Sequence, residues 1–306
     1  MHQTASRVIL VRPSGFGFDA ETAETNGFQR PLQDEDIRRQ AAEEFDELLA
    51  ALDRCGIDVT VLDPASADAR SAVFPNNWFS THEDGTLVLY SMCAEGRRKE
   101  RDPQFPKTLE REGFSVKKVI DLSPLERSGK FLEGTGSLVI DRARSIAYAA
   151  LSPRTSERGI NLWCGALAAS PVLFHATMDG TLAGQPVYHT NVVMSMGDRS
   201  VVVCLEALPY PTDRDDLWAE LDRSDREIVP ITIGQMHSYC GNMLELRSAK
   251  GSFIFLSETA FRALKPDQRI SLEKYAQLVP VPIPVIEAVG GGSVRCMIAE
   301  NFLPPR

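Results

Sequence analysis

The chain has 306 residues, 43% of them hydrophobic and 25% charged, so it can bury a large core as one large domain or two smaller ones. Its formal net charge of −9, from 33 basic and 42 acidic residues, argues against nucleic acid as a partner, because phosphate binding needs a basic surface. Residues 159–178 carry no formal charge, but Asn161, Pro171 and His175 interrupt them, so no membrane partner is expected.

The cysteines and the first residues narrow the class further. Six cysteines are scattered at positions 55, 93, 164, 204, 240 and 296 without a Cys-x-x-Cys pair, which argues against a disulfide framework and a local zinc cluster. The sequence opens without the basic-then-apolar pattern of a secretory signal. We therefore expect a cytoplasmic enzyme.

A hairpin pattern occurs four times along the chain. Each copy has a small or amide residue, an apolar run, a polar turn and a second apolar run, with the β-branched and aromatic residues typical of strands. The copies are residues 77–90, 136–148, 191–204 and 242–255, and their first residues are 51 to 59 positions apart.

A fifth, incomplete copy closes the series. Another 51 positions lead from Asn242 to Ser293, which begins the predicted strand 293–299, and the apolar run 6–12 is a natural partner for it. Five units closed by the two ends of the chain predict an α/β fold of the five-bladed propeller type, with residues 1–306 as a single domain.

Helical patterns lie between the hairpins. Residues 33–54 place Ile37, Ala41, Phe45, Leu48 and Leu52 at helical spacing before a stop at Gly56. Further helices are predicted over residues 155–169, 212–223, 257–263 and 266–278. These elements indicate strand–strand–helix–strand modules; the alternative is a conventional α/β fold in which the hairpin spacing arose by chance.

Three reactive groups lie at corresponding ends of different units: Glu133, His189 and Cys296. In a radial fold these ends converge, and a thiol beside a histidine that a carboxylate positions is a nucleophile–base arrangement. Cys296 also follows three glycines, 290–292, which allow close backbone approach. The alternatives are a small buried Cys, a core His bonded to a carbonyl, and a solvated Glu at a strand start.

Several strings resemble those of the guanidino-group-modifying superfamily, which includes arginine deiminases, dimethylarginine hydrolases and amidinotransferases. The strings are Phe74-Pro-Asn-Asn-Trp-Phe-Ser80, Leu132-Glu-Gly-Thr-Gly136, Tyr188-His-Thr-Asn191, Gly241-Asn242 and Gly290-Gly-Gly-Ser-Val-Arg-Cys296. They are most similar to amidinotransferase-related proteins of the citrulline-utilisation hydrolase type. The resemblance spans Ser6 to Phe302 in order and implies a five-bladed α/β propeller (pentein) fold.

The resemblance also implies catalytic roles. Cys296 matches the nucleophile that attacks the central carbon of a guanidinium or ureido group, and His189 matches the general acid/base. Glu133 matches the carboxylate that binds substrate nitrogens and the histidine.

Two amides stand where many guanidine-acting relatives carry aspartate: Asn77 and Asn191. A carboxylate suits a buried guanidinium, whereas an amide offers a donor and an acceptor and suits a neutral ureido group such as that of citrulline. The alternative is that Asn77 caps a turn and Asn191 holds backbone.

Recognition of a substrate carboxylate favours arginine, whose planar fork binds two oxygens. Arg154 and either Arg97 or Arg98 match positions at which family members bind the amino-acid end of the substrate. The alternative for residues 97–99 is a solvated run of charges. Alternation along a strand would direct Arg295 away from the neighbouring thiol. Asn242 is a candidate for the wall of the site.

Other chemistries lack their sequence patterns. There is no Gly-x-Ser-x-Gly elbow, complete dinucleotide fingerprint, Walker Gly-Lys-Ser/Thr or histidine pair within one helical turn. The sequence therefore implies no metal and no organic cofactor.

Three functions follow, all with a small amino-acid ligand. The first is cysteine-dependent hydrolysis of citrulline to ornithine, carbon dioxide and ammonia. The second is deiminase, dimethylarginine hydrolase or amidinotransferase activity on a guanidino substrate, and the third is amino-acid binding without turnover. The sequence is also compatible with a homo-oligomer.

Overall fold

The four complete predicted hairpins form because a short polar turn between two apolar runs reverses the chain. The computed structural model describes residues 2–32 and 36–306. The strands within these ranges are β1 (Arg7–Val11), β2 (Asp58–Leu62), β3 (Phe79–Thr81), β4 (Thr86–Leu89), β5 (Lys118–Asp121), β6 (Val139–Asp141), β7 (Ile146–Ala150), β8 (Ser170–Phe174), β9 (Met194–Met196), β10 (Ser200–Val203), β11 (Glu227–Pro230), β12 (Leu244–Ser248), β13 (Gly251–Ser257), β14 (Gln277–Val281) and β15 (Ala299–Glu300).

Helices connect and precede these strands. They are α1 (Ala20–Ala23), α2 (Ile37–Arg54), α3 (Phe105–Arg111), α4 (Gly134–Ser137), α5 (Glu157–Leu167), α6 (Thr190–Val193), α7 (Pro211–Asp222), α8 (Ile233–His237), α9 (Glu258–Ala263), α10 (Pro266–Glu273) and α11 (Val294–Met297). Short 3₁₀ turns cover Pro75–Asn77, Gly96–Glu100, Ser123–Ser128 and Leu205–Ala207, and a π-helical turn covers Ile286–Gly290.

The strands form five three-stranded sheets in the described part of the chain. Their orders are β15-β1-β2, β3-β4-β5, β6-β7-β8, β9-β10-β11 and β12-β13-β14. In every sheet the first two strands are antiparallel and the third is parallel to the middle one. The prediction that the two ends of the chain share a sheet is confirmed, since Ile9 of β1 pairs with Ala299 of β15.

The apolar face of each long helix packs against a sheet. In α2 the predicted positions Ala41, Phe45, Leu48 and Leu52 are all buried. Burying one such leucine or phenylalanine stabilises the fold by about 1.5–3 kcal/mol. The helix runs from Ile37, and the predicted start at residues 33–35 lies outside the described residues.

Two predicted boundaries are wrong. The helix expected over residues 266–278 ends at Glu273, and its last residues enter β14 instead. The strand expected over residues 293–299 begins as the helical turn α11 and becomes β15 only at Ala299. β14 can contain Pro280 because it is an edge strand, where a proline costs no ladder hydrogen bond.

The inner strands of neighbouring sheets contact one another. Strand β9 contacts both β6 and β12, and β15 contacts β3. The turns that precede the inner strands also meet. The turn α4 contacts α6, and both α4 and α11 contact the turn Pro75–Asn77. Within residues 2–32 and 36–306, no helix is long and apolar enough to cross a membrane.

Candidate active site

Glycine allows the turns that carry the predicted catalytic residues to approach closely. Glu133 and His189 each occupy the residue before a one-turn helix, α4 and α6, and Cys296 lies inside the turn α11. A Cβ added to Gly136 would lie 2.5 Å from Asn77 Nδ2 and 2.7 Å from His189 Nδ1. Only a residue without a side chain fits there, so Gly136 sets the spacing between these two groups.

Glu133 and His189 form a buried hydrogen-bonded pair. Their closest atoms, Glu133 Oε2 and His189 Nε2, are 2.8 Å apart, and Arg154 Nη1 lies 3.5 Å from the same carboxylate oxygen. The other oxygen of Glu133 accepts the backbone N–H of Cys93 at 2.9 Å.

The surroundings of this pair set its protonation. Burial alone would raise the pKa of Glu133, but the charge of Arg154 and the hydrogen bond to His189 outweigh burial and hold the pKa well below its usual value. Burial lowers the pKa of His189 more than Glu133 raises it. At neutral pH Glu133 is therefore an anion that accepts the Nε2–H of neutral His189, which leaves Nδ1 as a base.

Two amides hold the sulfur of Cys296. Asn242 Nδ2 lies 3.3 Å and Asn191 Nδ2 3.5 Å from Cys296 Sγ, and the thiol is buried. Donors aimed at a sulfur stabilise negative charge on it. Arg295 is directed away as expected, because its guanidinium binds Ile298 O and Glu300, although its backbone is helical and not a strand.

A cavity of about 280 Å³ opens beside these groups. Of the predicted residues, Asn77, Arg97, Arg154, His189 and Cys296 line it. Other lining residues are Thr22, Asn26, Gln29, Ser71, Phe74, Tyr188 and the glycines 290–292.

The three glycines before Cys296 form part of this wall as the sequence predicted. Gly291 has φ +64°, and a Cβ on Gly292 would lie 2.9 Å from the ring of Phe74. Side chains at these positions would therefore strain the backbone or displace the aromatic wall.

Arg97 and Arg98 are separated by the fold. Arg97 is buried and forms a two-point ion pair with Glu100, and its Nη1 donates to Asn77 Oδ1 at 2.7 Å. Arg98 lies outside the cavity, where its guanidinium donates to the carbonyls of Met92 and Cys93. The structure therefore brings Arg97, and not Arg98, to the predicted site.

Arg97 fixes the orientation of the Asn77 amide. Because Arg97 can only donate, it must face the amide oxygen, so the NH₂ group of Asn77 faces the opposite way. This Nδ2 is buried and has no hydrogen-bond partner among the described residues. Asn191 Oδ1 is also buried without a partner in that part of the chain, because its Nδ2 is directed to Cys296 and to Thr135 O. An unpaired donor and an unpaired acceptor thus remain near the reactive groups.

Arg154 joins the cavity to the N-terminal segment. Its Nε donates to Thr25 Oγ1 at 2.9 Å and its Nη2 to Thr22 O at 2.6 Å, and its guanidinium carbon lies 5.1 Å from the centre of the Tyr188 ring. Asn26 and Gln29 of the same segment donate to the carbonyls of Gly291 and Gly290.

Sequence reasoning missed this N-terminal contribution. Thr22, Asn26 and Gln29 carry no motif, and only the fold brings them to the cavity. Glu100 could have been found, since an acid three residues after Arg97 lies on the same side of a helical turn. The described residues contain no group of three or more His, Cys, Asp or Glu side chains suited to hold a metal ion.

A family model and several solved structures are similar to this chain. Residues 12–303 match the family model described as N,N dimethylarginine dimethylhydrolase, eukaryotic. The N-terminal domain of ArgZ, an arginine dihydrolase from the ornithine–ammonia cycle in Cyanobacteria, is 15% identical with a TM-score of 0.75 over 97% of this chain and 99% of that domain.

Two further structures share the fold. An AgrE mutant in complex with L-arginine is 15% identical with a TM-score of 0.75, over 96% of this chain but only 40% of that longer chain. A dimethylarginine dimethylaminohydrolase adduct is 16% identical with a TM-score of 0.65, over 96% of this chain and 99% of the other. No curated protein sequence matches this chain significantly. The chain belongs to the N,N dimethylarginine dimethylhydrolase family, within the guanidino-group-modifying pentein superfamily.

Proposed function

We propose that this protein is a cysteine-dependent hydrolase of non-peptide C–N bonds and that its substrate group is the ureido group of citrulline. The observation that carries the substrate is the orientation of Asn77, whose unpaired Nδ2 is a donor next to His189. A ureido oxygen can accept this hydrogen bond, whereas a guanidinium has only donors and would leave the amide unpaired. Asn191 contributes through its Nδ2, which donates to Cys296 Sγ.

The reaction proceeds through a covalent intermediate. His189 takes the proton of the Cys296 thiol, and the sulfur forms a bond to the ureido carbon. His189 then gives this proton to the departing nitrogen, the bond between that nitrogen and the ureido carbon breaks, and ornithine leaves. Its lowered pKa makes protonated His189 a strong acid for this step.

Water completes the turnover. The carbamoyl group remains on the sulfur, and neutral His189 removes a proton from a water molecule that attacks the carbonyl carbon. The S–C bond then breaks, the thiolate takes back its proton, and the released carbamate decays to carbon dioxide and ammonia. Glu133 stays ionised and stabilises His189 whenever the histidine is protonated.

Arg154 is the proposed partner of the substrate carboxylate. The charge of Arg97 is compensated by Glu100 at 2.8 Å, and its remaining contacts hold Asn77. Arg154 pairs with Glu133 less closely, because its Nη1 lies 3.5 Å from that carboxylate and donates no hydrogen bond within the described residues, whereas its Nε and Nη2 do. It therefore keeps a donor for a ligand.

A second candidate is hydrolysis of a guanidino group. It is favoured by the family model and by the buried carboxylate of Glu133, which could compensate a guanidinium charge. Under this alternative the product is citrulline, or ornithine if hydrolysis continues.

A substrate panel distinguishes these functions. Reduced protein is incubated with citrulline, arginine, agmatine and methylated arginines, and ornithine, citrulline and ammonia are measured, with Cys296→Ser as the matched control. We expect ornithine from citrulline with wild-type protein only. Turnover of arginine without turnover of citrulline contradicts the ureido proposal, and tight binding without turnover in both proteins indicates a binding protein.

We also propose that the five sheets are the blades of an α/β propeller that forms one domain over residues 1–306. The pairing of β15 with β1 and the contacts of β9 with β6 and β12 support this arrangement. Urea unfolding followed by fluorescence and by circular dichroism should give one coincident transition; two separate transitions contradict a single domain.

A further inference from the structure

A second cavity lies behind the reactive thiol. Its empty space, which includes solvent at its mouth, is about 440 Å³, and its polar lining residues are Gln3, Thr135, Arg142, Asn191, Ser195, Glu245, Arg295 and Glu300. Asn191 belongs to both sites, because it lines this cavity while its Nδ2 donates to Cys296 Sγ. The proposed reaction gives this cavity no role.

Arg142 is the unusual group in this cavity. The residue is only 6% exposed, and its guanidinium donates no hydrogen bond to any residue of the described part. The guanidinium lies 4.0 Å from Glu300 Oε2 and 3.8 Å from the centre of the Phe302 ring. A buried cation with so few partners is costly, and burial lowers the pKa of Arg142 more than the nearby charge of Glu300 raises it.

The other charges of the cavity already have partners. Arg295 Nη2 binds Glu300 Oε2 at 3.1 Å, and its Nη1 donates to Ile298 O. Glu245 Oε2 accepts the backbone N–H of Asp198 at 3.0 Å, and burial raises the pKa of Glu245 to about 6. Arg142 is therefore the charge that a ligand would satisfy.

Two further groups in this cavity lack partners. The Ser195 hydroxyl makes no hydrogen bond within the described residues, and Asn191 Oδ1 is buried and unpaired there as well. The Ser195 hydroxyl can donate to an anion, and Asn191 Oδ1 can accept from a protonated oxygen or a nitrogen of the same ligand.

We propose that this cavity binds a small planar oxyanion of the carboxylate class, with Arg142 as its cationic partner. The planar fork of a guanidinium matches two oxygens of such an anion, which a spherical halide does not offer. Bicarbonate and formate are the simplest members. Carbamate is another, and only this link to the reaction product depends on the proposed function.

The test measures binding without turnover. Melting temperatures of wild-type protein and Cys296→Ser are recorded against increasing bicarbonate, formate and, at the same ionic strength, chloride. We expect a saturable rise with both oxyanions and none with chloride, in both proteins, because a ligand that binds only the folded state raises the melting temperature. An equal response to chloride would overturn the proposal.

Variants assign the binding to this cavity. Arg142→Met keeps the apolar contact with Phe302 and should weaken the apparent affinity for formate by about 10- to 100-fold, as expected for the loss of a charged hydrogen-bonded pair. Arg7→Met, which removes an arginine that lies beside the Phe114 ring and lines neither cavity, is the matched control and should bind as tightly as wild type. The same affinity in Arg142→Met and wild type refutes the site.

If Arg142→Met does not fold, Arg142→Lys replaces it. Lysine keeps the charge but lacks the fork, so weaker formate binding is still expected, and unchanged binding again refutes the proposal. The melting-temperature assay contains no substrate, so its result does not depend on turnover. If the protein fails to produce ornithine from citrulline, the proposed function is refuted but the anion site is not.

Discussion

Replacement of Asn77 by aspartate tests whether the site selects a neutral group. The carboxylate keeps one oxygen for Arg97 Nη1, which lies 2.7 Å from the amide oxygen in the native protein. Its second oxygen replaces the unpaired Nδ2, so an acceptor with negative charge takes the place of a donor. The change is nearly isosteric, and the closely packed Gly136 does not have to move.

The magnitude follows from the lost hydrogen bond. When sulfur adds to the ureido carbon, charge develops on the ureido oxygen, and the Asn77 donor is placed to stabilise it. Removal of one such donor costs about 2.7–4 kcal/mol, a 10²- to 10³-fold loss of kcat. A guanidinium substrate gains a charge partner instead, so the ratio of kcat/KM for arginine to that for citrulline should rise by at least the same factor.

The assay compares both substrates in Asn77→Asp, wild type and Asn301→Asp. Asn301 is a buried amide outside the cavity, so its variant introduces the same charge without touching the proposed site and should keep the wild-type preference. Equal turnover of citrulline by Asn77→Asp and wild type refutes the argument from amide orientation.

Three other changes test the chemistry, the packing and the pH response. Cys296→Ser should reduce citrulline turnover to background with an unchanged melting temperature; retained turnover excludes the covalent route. Gly136→Ala should lower activity by about 10²-fold, because its Cβ displaces Asn77 and His189, whereas Gly165→Ala, which meets no atom within 4 Å, should be fully active. Burial lowers the pKa of His82 to about 3, so the unfolded state binds a proton that the folded state does not, and stability falls as the pH drops from about 6.5 to 3. Urea titrations should show His82→Gln losing less stability over this range than wild type, by about 4 kcal/mol at most; equal losses contradict this account.

The sequence predicted most of the secondary structure because the same pattern occurs five times. All four complete hairpins and the pairing of the terminal strands are confirmed. The helical turns before the inner strands were not predicted, since a single turn such as α6 has too few residues for a periodicity to be visible.

The pairing of catalytic candidates was visible in the sequence, whereas their surroundings were not. Glu133 and His189 are 56 positions apart, and the repeat alone indicated that they meet. The contact of Arg154 with the residues around Thr22 spans more than a hundred positions between segments without a shared motif. Such contacts depend on how loops are placed on the sheets, which local propensity does not determine.

The two neighbouring arginines show why local patterns could not identify the residue at the site. Arg97 has an acid three positions after it, Glu100, and Arg98 has one three positions before it, Glu95, so the local sequence offers each an ion-pair partner in one helical turn. The fold places the two side chains differently. Arg97 is directed inward to Asn77, whereas the side chain of Arg98 remains 28% exposed. Because adjacent residues of a 3₁₀ turn point in directions about 120° apart, only one of the two can reach the cavity. Arg97 is the residue that reaches the cavity, and it orients the Asn77 amide, on which the proposed preference for a ureido substrate depends.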